Sequence, residues 1–141
     1  MSDKTFIDTN IFLYCHDQGH SVKRNIAREL IFREYETGSC SISTQVLIEF
    51  FQNFVVKFGN SYIDALKEMH FMSRCSVIEQ SLSLLNSGIS IYSKHSLSVW
   101  DAMIIAAAKE ADSQILYTED MRHGQIIEGV KITNPFTTAQ I

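Results

Sequence analysis

Apolar residues recur along the chain in two rhythms. Short β-prone runs, at Thr5–Asp8, Cys40–Ile42, Cys75–Ile78, Gln114–Thr118 and Val130–Thr133, alternate with longer stretches at helical spacing. Ile26, Leu30 and Ile31 share one face of a helix predicted over Val22–Glu36, with Gly38 just past its end. Ile11–Tyr14 predicts a shorter helical piece. Ser43 or Thr44 can cap a helix running to about Phe58, which Gly59-Asn60-Ser61 breaks. Tyr62–His70 starts another, and a further helix runs to about Asn86 with Gly88 closing it. Leu97–Ala111, rich in Ala, Ile and Met, carries the strongest helical signal. Strands alternating with helices predict an α/β domain with a mostly parallel sheet and helices on both faces. In such sheets ligands sit outside the carboxyl ends of the strands.

Composition narrows the class. The 141 residues suit a single domain, 1–141, and 45% hydrophobic with 20% charged residues excludes disorder. No run approaches the ~18 apolar residues that a membrane span needs. The opening MSDKTFIDTN lacks the apolar core of a signal peptide, so a cytoplasmic protein without membrane contact is expected. Cys15, Cys40 and Cys75 are odd in number and form no CxxC pair, which predicts buried thiols in a reducing compartment rather than disulfides or a zinc ribbon. The net charge of −4 excludes a polybasic binder; any nucleic acid must be held by local patches or bound cations.

Four carboxylates stand out by position. Asp8 and Asp120 follow β-prone runs, while Glu49 and Asp101 lie near the starts of helices. Carboxyl ends of parallel strands and amino ends of the following helices face the same side, so all four can converge there. Gathered like charges repel, and a divalent cation resolves this; all-oxygen ligation suits Mg²⁺ or Mn²⁺. Each residue also has a structural reading. Asp8 can be the N-cap of the next helix, and Ser98-Val99-Trp100-Asp101 fits a capping box. Glu49 lies on a polar stripe with Gln45, Gln52 and Asn53, and Asp120 can cap a turn. The joint placement carries the signal.

Other chemistries find less support. His16 and His20 have helical spacing, but no HExxH pattern joins them, and His70, His95 and His123 are scattered. GxGxxG, GxxxxGK[ST] and GxSxG are all lacking, which disfavours Rossmann cofactors, P-loop nucleotides and nucleophile-elbow hydrolysis.

The segments Phe6-Ile7-Asp8-Thr9-Asn10-Ile11, Val46-Leu47-Ile48-Glu49-Phe50, Leu97-Ser98-Val99-Trp100-Asp101-Ala102 and Leu116-Tyr117-Thr118-Glu119-Asp120-Met121 resemble, in order and spacing, the four motifs of the PIN-domain nucleases. That family includes the VapC toxins of toxin–antitoxin pairs. The ending His123-Gly124-Gln125, Gly129-Val130 and Asn134-Pro135-Phe136 is similar to a bacterial branch of it. The resemblance runs from about residue 4 to 136, with the middle, roughly 53 to 94, matching only in pattern. It implies a three-layer domain whose central sheet of 4–5 strands is flanked by helices, and metal-dependent hydrolysis of RNA phosphodiesters. Asp8 and Asp101 would be central Mg²⁺ or Mn²⁺ ligands, with Glu49 and Asp120 completing the cluster directly or through water. Asn10 and Thr118 would orient these groups, with Thr9 in the same motif. Glu119 would take the place of Asp120 if the register slipped by one.

Phosphodiester hydrolysis needs an activated water, a neutralised transition state and a stabilised leaving oxygen, and metal ions can supply all three. Setting aside the four proposed ligands leaves acids and bases equal in number, so an empty site would repel RNA and a loaded one accept it. Lys23, Arg24, Arg28, Lys94, Arg122 and His123 are candidate phosphate contacts, Arg122 and His123 being nearest Asp120 in sequence. As a toxin the protein would pair with a small antitoxin, and a homodimer is the family expectation. The apolar run Val46, Leu47, Phe50, Phe51, Phe54, Val55 and the helix from Tyr62 to Met72 offer a groove for either, or ordinary core packing. Two rivals stand beside this reading. One is a catalytically silent PIN-like module for protein binding. The other is an aspartate-nucleophile phosphohydrolase of the haloacid dehalogenase type, disfavoured because Asn10 stands where that chemistry wants a second Asp.

Overall fold

The computed structural model describes residues 3–137; residues 1–2 and 138–141 of the expected domain lie outside the described residues. The elements follow in the order β1 (Thr5–Ile7), α1 (Thr9–Tyr14), α2 (Ser21–Thr37), β2 (Cys40–Ser43), α3 (Thr44–Phe51), a π-helical stretch (Gln52–Lys57), α4 (Tyr62–Met72), β3 (Ser76–Ile78), α5 (Leu82–Lys94), α6 (Val99–Glu110), β4 (Ile115–Tyr117), β5 (Ile126–Ile127) and β6 (Val130–Thr133). The six strands form one sheet in the order β3-β2-β1-β4-β6-β5. Every pairing is parallel except β5 with β6. Phe6 sits between Ser41 and Leu116, in the middle of the sheet, and is fully buried.

Successive crossovers explain the layers. From β1 to β2 and from β2 to β3 the chain steps in one direction; from β3 it crosses back to β4 beyond β1. Right-handed connections therefore set α1–α4 on one face and α5–α6 on the other. Helix α6 shows why this is stable. From Ala102 to Ala108 every residue is buried, and its small alanines let the helix lie close on the sheet. No helix among the described residues is long and apolar enough to cross a membrane.

Four sequence expectations need correction. The sheet has six strands rather than 4–5. The added strand, β5, spans two residues, and Glu128 and Gly129 turn it back into β6 with φ of 53° and 83°. A type I′ two-residue hairpin turn has positive φ at both positions, and Glu128-Gly129 between Ile127 and Val130 is its local signal. Gly88 does not close α5; the helix runs six residues further. A Cβ at Gly88 would stand 2.1 Å from Met103 Sδ, so glycine there permits the close approach of α5 to α6.

The helix opened by Ser43 does not stay α-helical to Phe58. Beyond Phe51 it widens, and Phe58 N–H bonds the Asn53 carbonyl five residues back. Finally, Cys40 and Cys75 are joined in a disulfide, while Cys15 alone keeps its thiol. Both bridged residues are buried as expected. Their pairing follows from β2 lying beside β3, which brings the strand start and the residue before β3 to a Cα separation of 4.9 Å.

Candidate active site

The order of strands reverses between β1 and β4, and their carboxyl ends open a crevice there. Asp8 ends β1 at this point. It caps α1, its Oδ1 accepting from Thr9 N–H at 2.7 Å, so the structural role read from sequence is real. Its other oxygen accepts from the Thr118 hydroxyl, which follows β4, at 2.8 Å. That hydroxyl in turn accepts from Asp120 N–H at 3.1 Å and from Asn10 Nδ2 at 3.3 Å. Asn10 Nδ2 also donates to Asp120 Oδ2 at 2.9 Å, and Asn10 Oδ1 accepts from Glu119 N–H at 3.3 Å. Thr9 lies deeper, its hydroxyl donating to the Val46 carbonyl at 3.4 Å.

Glu49 and Asp101 arrive from opposite layers. Ser43 caps α3 and Ser98 caps α6 through the N–H of Asp101, at 3.1 Å. Gln45 joins the two helices, its Nε2 donating to Glu49 Oε1 at 2.7 Å and to the Trp100 carbonyl at 3.1 Å.

Electrostatics bind the four acids into one group. Burial pushes the Asp8 carboxyl up to about 7; the Thr118 and Thr9 bonds oppose this, and the Asp120 and Glu49 charges add to it. Glu49 is raised by burial and by Asp120 and Asp101, against the Gln45 bond. Asp101 is raised by burial and by Asp120, against Ser98. Burial falls from Asp8 through half-buried Glu49 and Asp101 to exposed Asp120, so the group runs from the sheet outward to solvent.

The donor chemistry fits an oxygen-preferring divalent ion: carboxylates only, three of them raised in part by neighbouring carboxylates. Among the described residues, no three His, Cys, Asp or Glu side chains stand arranged to hold an ion in the positions they occupy. Bonds from Asn10 and Gln45 hold Asp120 and Glu49, the outer members, so gathering asks for rotation at the rim rather than at Asp8.

The neighbouring residues sort clearly. Glu119 leaves the cluster: it takes Lys23 at 2.5 Å and the Tyr14 hydroxyl at 2.6 Å, which places Asp120 rather than Glu119 with the other acids. Of the basic candidates, Lys23 is thereby occupied, Arg24 donates to Gln18 and Arg28 to the Cys15 carbonyl. Lys94 lies with Lys109 and Glu128 beside the start of β6, at the end of the sheet away from the acids. Arg122 and His123 are exposed, and His123 Nδ1 accepts from Asn134 N–H at 2.9 Å. His16 meets Glu68 and His20 meets Asp17, so each has a carboxylate partner instead of a shared ion. In the apolar run from Val46, Val46, Phe50 and Phe54 are core; the exposed apolar residues from there through α4 are instead Ile48, Val56, Phe58, Tyr62, Ile63, Leu66 and Phe71.

The PIN domain family model matches residues 5–128. No curated protein matches the chain. Among solved structures, a toxin–antitoxin complex from Klebsiella pneumoniae has a TM-score of 0.69 at 20% identity, over 93% of this chain and 97% of that one. The DNA-bound VapBC of Salmonella typhimurium gives 0.68 at 18%, over 95% and 99%. Mycobacterium tuberculosis VapC20, a sarcin–ricin loop cleaving toxin, gives 0.65 at 18%, over 82% and 89%. At these identities the likeness is one of fold.

Proposed function

The chain belongs to the PIN domain family, and on that premise we propose that it is a Mg²⁺- or Mn²⁺-dependent endoribonuclease whose site is Asp8, Glu49, Asp101 and Asp120. The observation that carries this is the set of four carboxylates at the crevice between β1 and β4, tied by Thr118, Asn10 and Gln45, where burial first and neighbouring carboxylates next raise Asp8, Glu49 and Asp101. A bound ion would lower the pKa of its water and neutralise charge on the phosphate in flight.

The chain's own residues divide the remaining work. Thr118 fixes the rotamer of Asp8, and Asn10 holds Asp120 and the backbone of Glu119. Gln45 positions Glu49 and ties α3 to α6. Arg122 and His123, beyond Asp120, are exposed and supply cationic or hydrogen-bonding contacts to the RNA backbone. Asn10, with both ends of its amide engaged, offers no proton shuttle, which argues against the aspartate-nucleophile phosphohydrolase.

In physiological context we read the protein as the toxin of a VapBC-type pair, cytoplasmic and homodimeric. Likeness in fold to a toxin–antitoxin complex and to a VapBC complex supports this reading. The exposed apolar side chains of the π-helical stretch and α4 supply a surface for an antitoxin. A second reading, a silent PIN-like binding module, is favoured by one observation: among the described residues no three acids stand arranged to hold an ion.

Incubation of purified protein with mixed-sequence RNA decides between them. Cutting with Mn²⁺ or Mg²⁺ that EDTA stops, and that the Asp101→Asn variant lacks, is the expected result. RNA left intact at every metal concentration, with no ion bound, would leave the module reading in its place.

A further inference from the structure

A cleft of about 430 Å³ adjoins the acidic cluster, walled by α1 on one side and by the π-helical stretch on the other. Asn10, which holds Asp120, also lines the cleft, and Glu119 beside Asp120 in sequence faces it, so the cleft continues the crevice rather than opening elsewhere. Its far wall is made by Asn53, Phe54, Lys57, Phe58 and Asn60. The wider π-helical turn ends at Phe58, a residue 59% exposed, with Lys57 Nζ 5.6 Å from its ring centre. π-Helical insertions of this kind are frequent at functional sites.

The charges around the cleft are settled except one. Glu119 is met by Lys23 and Asp17 by His20; His16 is met by Glu68. Among the described residues Lys57 has no carboxylate partner and no hydrogen-bond acceptor. A cation beside an exposed aromatic ring is the chemistry that receives an unpaired base and its phosphate. The volume suits one nucleotide and not a helix.

We propose that this cleft seats one unpaired nucleotide of the RNA strand beside the bond to be cut, with Phe58 stacking on the base and Lys57 holding its phosphate. The inference rests on the nuclease reading and assigns Phe58 and Lys57 to substrate binding, apart from the carboxylates.

Binding is measured without cleavage, by fluorescence anisotropy of a mixed-sequence single-stranded RNA 12-mer on the full chain carrying Asp101→Asn. Phe58→Ala weakens binding about tenfold and Phe58→Tyr restores it. Lys57→Ala reduces the salt dependence by about one phosphate contact, which Lys57→Arg retains. In the cleaving protein, Phe58→Ala raises KM while kcat holds. RNA binding unchanged by both alanine variants would overturn the subsite and leave the nuclease reading standing. Failure of the parent to bind RNA at all would overturn both. Loss of association with a second copy or a protein partner in Phe58→Ala, with RNA binding intact, would assign the cleft to protein instead.

Discussion

The Thr118 hydroxyl spans the crevice to Asp8 Oδ2 at 2.8 Å, joining the ends of β4 and β1 across 110 residues of sequence. A hydroxyl offers one donor and two acceptor positions, and here all are used: it donates to Asp8 and accepts from Asp120 N–H and Asn10. Its proton direction is therefore determined, and with it the orientation of the Asp8 carboxyl. Thr118→Val keeps the shape and removes these bonds. The variant should lose roughly 1–3 kcal/mol of stability, because Asp120 N–H and Asp8 each lose a partner in or near the core. It should also lose most cleavage. Chemical denaturation alongside an RNA cleavage assay checks both.

The raised Asp8 carboxyl makes stability depend on pH. Its folded pKa of about 7 lies above the ordinary 3.8, so the folded state favours the protonated form. That contribution is complete below about pH 4 and is lost as the pH rises through about 7. Glu49 and Asp101 shift in the same direction and add to it. The Asp8 shift alone corresponds to roughly 4 kcal/mol as an upper limit. Metal-free protein should therefore melt several degrees lower at pH 8 than at pH 5. In Asp8→Asn the slope should be shallower, and saturating Mn²⁺ should flatten it in the wild type. Differential scanning fluorimetry in EDTA, repeated with Mn²⁺, reads all three.

Adjacent acids after β4 have different tasks. Glu119 is held by Lys23 and Tyr14, while Asp120 acts electrostatically on Asp8, Glu49 and Asp101. Asp120→Asn should reduce cleavage at least a hundredfold, the loss of ~3 kcal/mol of transition-state stabilisation expected for one electrostatic group. Glu119→Gln should stay within about tenfold of wild type, a change near 1.4 kcal/mol. Single-turnover rates on one RNA substrate compare them directly.

The bridge between Cys40 and Cys75 closes a loop over α3 and α4, with a separation of 35 residues. Loop-closure entropy assigns it roughly 3–4 kcal/mol. Thiol titration of unreduced, denatured protein should find Cys15 alone, and a reductant should lower Tm. Three reactive thiols without reductant would show the pair to be unbridged.

Much of the architecture was legible because its signals are local. The caps at Ser43 and Ser98, the end of α2 at Gly38 and the apolar run of α6 all appear where patterning places them. What escaped depends on contacts between distant residues. Gly88 reads as a helix stop until Met103 is found against it. Cys40 and Cys75 read as thiols until β2 and β3 pair. The acids show the same division. Positions relative to strands and helices were enough to group Asp8, Glu49, Asp101 and Asp120. Separating Asp120 from Glu119 required Lys23, and nothing in the pattern marked Lys57 or Phe58, because the π-helical turn has no apolar period of its own.

The central claim is that a divalent cation belongs among these carboxylates. Calorimetric titration of Mn²⁺ into the wild type and Asp8→Asn proteins near pH 7.5 tests it most directly. The account predicts saturable binding in the wild type, with proton release as Asp8 ionises, and its loss in the variant. Equal Mn²⁺ binding by both proteins, or none by the wild type, would contradict it.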